Sequence, residues 1–206
     1  MRLLKHTLTA MACATAITMA ASTPAQTLRA AADKIHSAPT WSVAYTYTTA
    51  TGATAGGAMT ISGKRFAIAN SEIAIWYDGT TQWTLDRKAN EVSITEPTAA
   101  EVRETNPMAL IDNLDASYTL RALPSKKGRE NIEVTPKSGA AAANFKKAII
   151  TIDSSTSLPT TITITPTSGH DSTITISSIK TGKPLSVNAF RFWQKDYPGV
   201  SVNDLR

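Results

Sequence analysis

The feature that most constrains this chain is strict alternation. In Thr160 to Thr165 (TTITIT) and Ser172 to Ser177 (STITIS), isoleucine and threonine take turns along the chain. A period of two puts the isoleucines on one face of a strand and the threonines on the other. Threonine on the second face predicts that this face meets water, and the two stretches read as a hairpin around Gly169. The same pattern organises Ile73 to Ile94 (IAIWYDGTTQWTLDRKANEVSI). Ile73 and Ile75 alternate with Ala74 and Trp76, and Asp78-Gly79 supplies a tight turn. Trp83 and Leu85 then alternate with Thr84 and Asp86, and Arg87-Lys88-Ala89-Asn90 turns the chain into Val92 and Ile94. This predicts an antiparallel meander with one apolar face, which something else must cover.

Strands are predicted elsewhere by the same reasoning. Trp41 to Thr49 places Trp41, Val43, Tyr45 and Tyr47 on one face, Thr51 to Gly57 reads as a flexible loop, and Ala58 to Arg65 returns with Met59 and Ile61 inward. Further strands are expected at Tyr118–Leu123, Asn131–Thr135, Lys146–Asp153, Pro159–Pro166, Ser172–Ser178 and Ala189–Trp193. Helices are few. Gln26 to Ser37 carries Leu28, Ala31, Ala32 and Ile35 at helical spacing and is stopped by Pro39. Thr98 to Glu104 and the run from Pro107 to Leu114 form an inserted helical pair, with Leu110, Ile111 and Leu114 on one edge. The expected class is mainly β (α+β): a single large antiparallel sheet with helices on one side.

The first residues are set apart by composition. Arg2 and Lys5, the apolar run from Leu8 to Ala21, and Thr23-Pro24-Ala25 have the order of a secretory signal peptide cut after Ala25. That leaves residues 26–206 as one domain. The run is shorter than the ~20 apolar residues of a membrane-spanning helix. Cys13, the only cysteine, sits in the middle of the run and not at its end, which argues against lipid attachment. The exported chain then has no thiol for a disulfide, a metal or a nucleophile. Its charge falls from +5 to 19 − 16 = +3, and no Lys/Arg cluster longer than Ser125-Lys126-Lys127 interrupts a strand pattern, so nucleic acid is not an expected partner.

No catalytic constellation accompanies this pattern. His36 ends a helix, His170 sits at a hairpin tip, and His170-Asp171 has no serine elbow or metal-ligand pair beside it. Glu101 and Glu104, with Arg103, read as a solvated helix face. No metal, no cofactor and no enzyme activity are expected.

Several motifs in one order give a resemblance. A helix is followed by a strand ending Lys64-Arg65-Phe66, then by Trp76-Tyr77-Asp78-Gly79-Thr80-Thr81-Gln82-Trp83 and Asn106-Pro107-Met108-Ala109-Leu110-Ile111. The chain closes with Phe190-Arg191-Phe192 and Pro198-Gly199-Val200-Ser201-Val202. Over almost the whole exported chain it resembles the periplasmic outer-membrane lipoprotein carriers, LolA and its relatives. The resemblance implies an unclosed β-barrel with helices across its concave face and an apolar cavity between them. That cavity takes the acyl chains of lipoproteins received from an inner-membrane ABC transporter complex and passes them to an outer-membrane receptor. The carrier is expected to act as a monomer in the periplasm. A soluble container suits this task, since exposing acyl chain to water costs ~0.8 kcal/mol per CH₂.

By the same resemblance the cavity would be lined from Met59, Ile61, Phe66, Ile68, Ile73, Ile75, Trp83, Leu85, Leu110, Ile111, Leu114, Phe190 and Phe192, which otherwise read as plain core. Arg65 would be a latch holding the helical lid closed. It shares a face with Met59 and Ile61 if the strand runs unbroken, whereas a turn at Gly63-Lys64 would put it in water. Trp41 and Trp76 would suit an outer face that meets a partner protein. The alternative function is a lipid-binding or lipoprotein-sensing interaction module on the same scaffold.

Overall fold

The computed structural model describes residues 22–206 except 107, 109–110, 112–117, 138–144 and 168. The expected lining residues Leu110 and Leu114, and residues 1–21 of the expected signal peptide, lie outside the described residues.

Helix α1 (Pro24–His36) starts slightly earlier than the spacing predicts. Thr23 forms a capping box with Gln26, and Pro24 opens the first turn, where its missing N–H costs nothing. The bond expected to be cut, after Ala25, therefore lies inside this first turn. The helix buries Leu28, Ala31 and Ile35, and burial of Leu28 or Ile35 stabilises by about 1.5–3 kcal/mol each. Thr27 Oγ1 donates to Glu130 Oε2 at 2.5 Å and ties the start of the helix to the sheet. A second helix, α2 (Ala99–Thr105), has its own capping box between Thr98 and Glu101.

The strands are β1 (Thr40–Thr49), β2 (Thr54–Ser62), β3 (Arg65–Asn70), β4 (Ile73–Tyr77), β5 (Gln82–Asp86) and β6 (Glu91–Thr95). After α2 come β7 (Tyr118–Leu123), β8 (Arg129–Pro136), β9 (Phe145–Asp153), β10 (Leu158–Pro166), β11 (Ser172–Gly182) and β12 (Ser201–Asp204). They form one 12-stranded sheet in the order β12-β6-β5-β4-β3-β2-β1-β11-β10-β9-β8-β7. The outermost strands, β12 and β7, do not meet, so the sheet is not closed into a barrel. Pairing is antiparallel throughout except for β12, which runs parallel to β6.

The meander β4–β6 and the hairpin β10–β11 are as the alternation predicts. Three details differ. The Gly/Ala loop is shorter, because β2 begins at Thr54 and the Tyr45 ring lies across Gly57, which leaves no room there for a Cβ. The strand expected to continue through Arg65 instead ends at Ser62, turns at Gly63 (φ +58°) and restarts at Arg65. Ala189–Trp193 is not a strand: Ser186 caps a short 3₁₀ helix, Val187–Phe190, and the chain reaches the sheet edge only at β12.

Pairing register fixes the two faces of the sheet, because side chains directly opposite each other share a face. Trp41↔Ile61, Val43↔Met59, Ile61↔Phe66, Met59↔Ile68 and Ile68↔Ile75 carry one row, and Ile132↔Ile150 and Ile150↔Ile162 carry another. These residues form one buried cluster with Leu28, Ala31 and Ile35 of α1 and with Met108 and Ile111. That is the concave, helix-covered face. The opposite face of β8–β11 carries threonines such as Thr151, Thr161 and Thr175, paired in register.

Candidate functional site

The concave face is where this architecture offers a site. Its centre is closely filled: Phe66 is 0% exposed, its ring 5.2 Å from Tyr77, and Val134, Ile150 and Ile162 are also fully buried. At one end lies a cavity of about 210 Å³ lined by Ile35, His36, Ala38, Pro39, Trp41, Ile61, Gly63, Asn106 and Met108. Trp41 forms one wall, fixed by its indole N–H donating to the Ile35 carbonyl at the end of α1. Asn106 is buried and holds its loop by accepting from the Met108 N–H at 3.0 Å. At the other end of the face the described side chains are less deeply buried. Tyr118 and Phe145 stack with centroids 6.0 Å apart, Tyr45, Ile164 and Ile174 are half-buried, and Tyr47 is exposed. Burial raises the Tyr45 phenol above its ordinary value, as an apolar surround should.

The residues expected to line a cavity divide between the two faces. Met59, Ile61, Phe66, Ile68, Ile73, Ile75 and Ile111 lie in the concave cluster. Trp83, Leu85 and Phe192 do not. Trp83 pairs with Trp76 and Leu85 with Ala74, one residue out of phase with Ile75, so both side chains project from the outer face. There Ala74, Leu85 and Val92 are buried beneath Trp76, Trp83, Phe192, Tyr197 and Val200. The meander thus has two apolar faces instead of one. Phe190 is also removed from the cavity: it is 0% exposed beneath Arg65, whose guanidinium sits 5.5 Å from its ring centroid.

Arg65 is accordingly not placed to latch the helical cover. Ser62 pairs with Arg65 across the turn, and alternation puts Arg65 on the face opposite Phe66. Among the described residues its guanidinium has no lid carbonyl as partner; it stacks on Phe190 of the C-terminal segment. Trp41 lies in the concave core and Trp76 is covered on the outer face, so neither is an open contact surface for a partner.

The expected cavity lining leaves out the inner rows of β8–β11, although the alternation at Ile162/Ile164 and Ile174/Ile176 puts these isoleucines on one face. The sequence reading also missed Arg191. This side chain reaches Asp78, which turns the β4–β5 loop by accepting from Thr80 N at 3.1 Å and Thr81 N at 3.0 Å. Among the described residues no group of three or more His, Cys, Asp or Glu could hold a metal ion, and no helix is long and apolar enough to cross a membrane.

The family profile described as "Outer membrane lipoprotein carrier protein LolA" matches residues 13–168. The chain belongs to the LolA family. The matched stretch ends before β11, so the last strands and the C-terminal segment lie beyond it. An uncharacterised conserved protein from Thermus thermophilus is similar in fold at 10% identity, with a TM-score of 0.57 over 86% of this chain and 96% of that one. A LolA superfamily protein from Nitrosomonas europaea matches at 15% identity and TM-score 0.45, over 84% and 99% of the two chains. MucB, in a complex with MucA from Pseudomonas aeruginosa, matches at 12% identity and TM-score 0.43, over 84% and 62%. At such identities the likeness is one of fold. No curated protein sequence matches the chain.

Proposed function

We propose that this LolA-family protein is a periplasmic carrier that shelters lipoprotein acyl chains between the concave sheet face and its helical cover, and takes them from the inner to the outer membrane. The observation that carries this reading is the apolar cluster that lines the concave face. Among the described residues that face is covered by α1 and the segment containing Met108 and Ile111, with a hollow at one end and half-exposed Tyr45, Ile164 and Ile174 at the other. In this reading residues 1–25 are a signal peptide removed on export. An inner-membrane ABC transporter complex supplies the load, an outer-membrane receptor takes it, and no step needs a catalytic residue.

The dimensions add a condition. Ligand pockets hold roughly 300–1,000 Å³, and the cavity is about 210 Å³. In this reading an acyl chain larger than this hollow enters as the helical cover moves aside. Native mass spectrometry of protein purified from its own cell envelope tests this, with a co-purifying lipopeptide or lipid as the expected result. Protein without any acylated ligand, together with normal lipoprotein distribution in depleted cells, would overturn the reading.

A further inference from the structure

The outer face of β4–β6 is a second apolar surface with its own cover. Ala74 and Leu85 are each 2% exposed and Val92 is 0% exposed, although they face away from the concave core. What covers them is the C-terminal segment. After β11 ends at Gly182 the chain is exposed at nearly every position, and Leu185, Val187, Trp193, Val202 and Leu205 are large apolar residues open to solvent. It is held at a few points. Phe192 and Tyr197 stack on each other at 5.2 Å and on Trp76 at 5.8 and 5.5 Å. Asn90 Nδ2 donates to the Gly199 carbonyl at 2.8 Å, while Ser201 N and Leu205 N donate to the Asn90 and Ile94 carbonyls at 3.0 and 2.9 Å. An ionic tie to the sheet lies at the other end. Arg191 Nε and Nη2 both reach Asp78 Oδ2 at 2.8 Å, and the Asp78 side chain is only 7% exposed.

The segment is mostly exposed and is anchored by Phe190 beneath Arg65, by the Trp76–Phe192–Tyr197 rings, by the charged tie and by a four-residue edge strand; with so few attachments it opens more readily than the central strands. The sheet beneath it does not depend on it, because β4, β5 and β6 pair with one another. We propose that residues 183–206 form a releasable strap that keeps the outer apolar face of β4–β6 covered, and that the Asp78–Arg191 pair is its fastener. Release uncovers Trp76, Trp83 and Leu85 as a sticky patch and bares the edge of β6, while the concave core stays intact. The proposal rests on the outer face alone and stands or falls independently of what the concave face binds.

Two variants test it in the full chain. Asp78→Asn keeps an acceptor for the Thr80 and Thr81 amides but removes the charge, and Arg191→Ala leaves the turn untouched. Amide hydrogen exchange should quicken about tenfold at Ser201 and Leu205 in both, with Ile150 and Ile162 unchanged. A fluorescent dye that binds apolar surface should report the uncovered patch in parallel. Unchanged exchange in Arg191→Ala overturns the fastener. A rise that extends equally to Ile150 and Ile162 overturns the separate release of the strap. Faster exchange at Ser201 and Leu205 without dye uptake overturns its covering role.

Discussion

Asp78 and Arg191, 113 positions apart, are joined by two hydrogen bonds of 2.8 Å from the guanidinium to one carboxylate oxygen. Burial alone pushes the Asp78 carboxyl up, but the Thr81 and Thr80 amides and the Arg191 charge outweigh it and hold it below the usual carboxylate value. The neighbouring Tyr77 phenol is pushed up by burial and by the Asp78 charge. A folded-state value below the unfolded one contributes stability that is present above the ordinary carboxylate range and is lost as pH falls through the lowered value. Asp78→Asn should therefore unfold at lower urea than the parent at neutral pH, and the gap should close in acid. Urea midpoints over a pH series measure this, and a gap independent of pH would assign the effect to the turn instead of the charge.

Gly57 lies under the Tyr45 ring, where an added Cβ would sit 2.5 Å from the phenol carbon and oxygen. The ring is the mobile end of its side chain, so Gly57→Ala should swing it off the strand toward water. Because burial raises the Tyr45 phenol, its titration should move down toward the ordinary tyrosine value. Spectrophotometric titration checks this, with Tyr45→Phe identifying the signal. Stability should fall by about 1 kcal/mol.

Phe66 is fully buried at the centre of the concave face against Tyr77. Phe66→Ala should cost about 3–5 kcal/mol by lost transfer energy and a residual void. Thermal unfolding measures it. By contrast, Trp193→Ala, at a site 41% exposed, should shift stability by no more than about 0.5 kcal/mol.

If acyl chains enter beside the half-buried Tyr45, Ile164 and Ile174, a charge there should repel them without unfolding the protein. Ile174 is half-buried on the inner face of β11, opposite Ile162 of β10. Ile174→Asp should reduce co-purified lipid by about tenfold or more, since a carboxylate against an acyl chain is left desolvated and unpaired. Native mass spectrometry reads the loss, and circular dichroism should show the sheet preserved.

Period-two alternation made most of this fold legible. Ile162 and Ile174 needed only their threonine neighbours to declare a face, and β4, β5 and β6 fell where the Asp78-Gly79 turn put them. Alternation says which residues share a face within one strand, but not how neighbouring strands align. Trp83 and Leu85 were grouped with Ile73 and Ile75 because all four are apolar, whereas the β4–β5 register pairs them with Trp76 and Ala74. Phe190 and Phe192 were harder still. Their spacing mimics a strand, and only the cap at Ser186 and the distant partners Arg65 and Trp76 turn them into a cover for the outer face. Arg65 shows the same limit, since its side was decided by a turn at Gly63 and by a ring far along the chain.

The pairing of β1 with β11 has a consequence for how the molecule comes into being. Thr40–Thr49 must wait for Ser172–Gly182 before the seam in the middle of the sheet can be sewn. Until then the chain is two half-fabrics, one growing outward from β1 to β6 and the other inward from β7 to β10, each with a raw selvedge. Such distant stitching must meet its loop-closure entropy before any pairing rewards it, so this seam is the part of the sheet expected to close last.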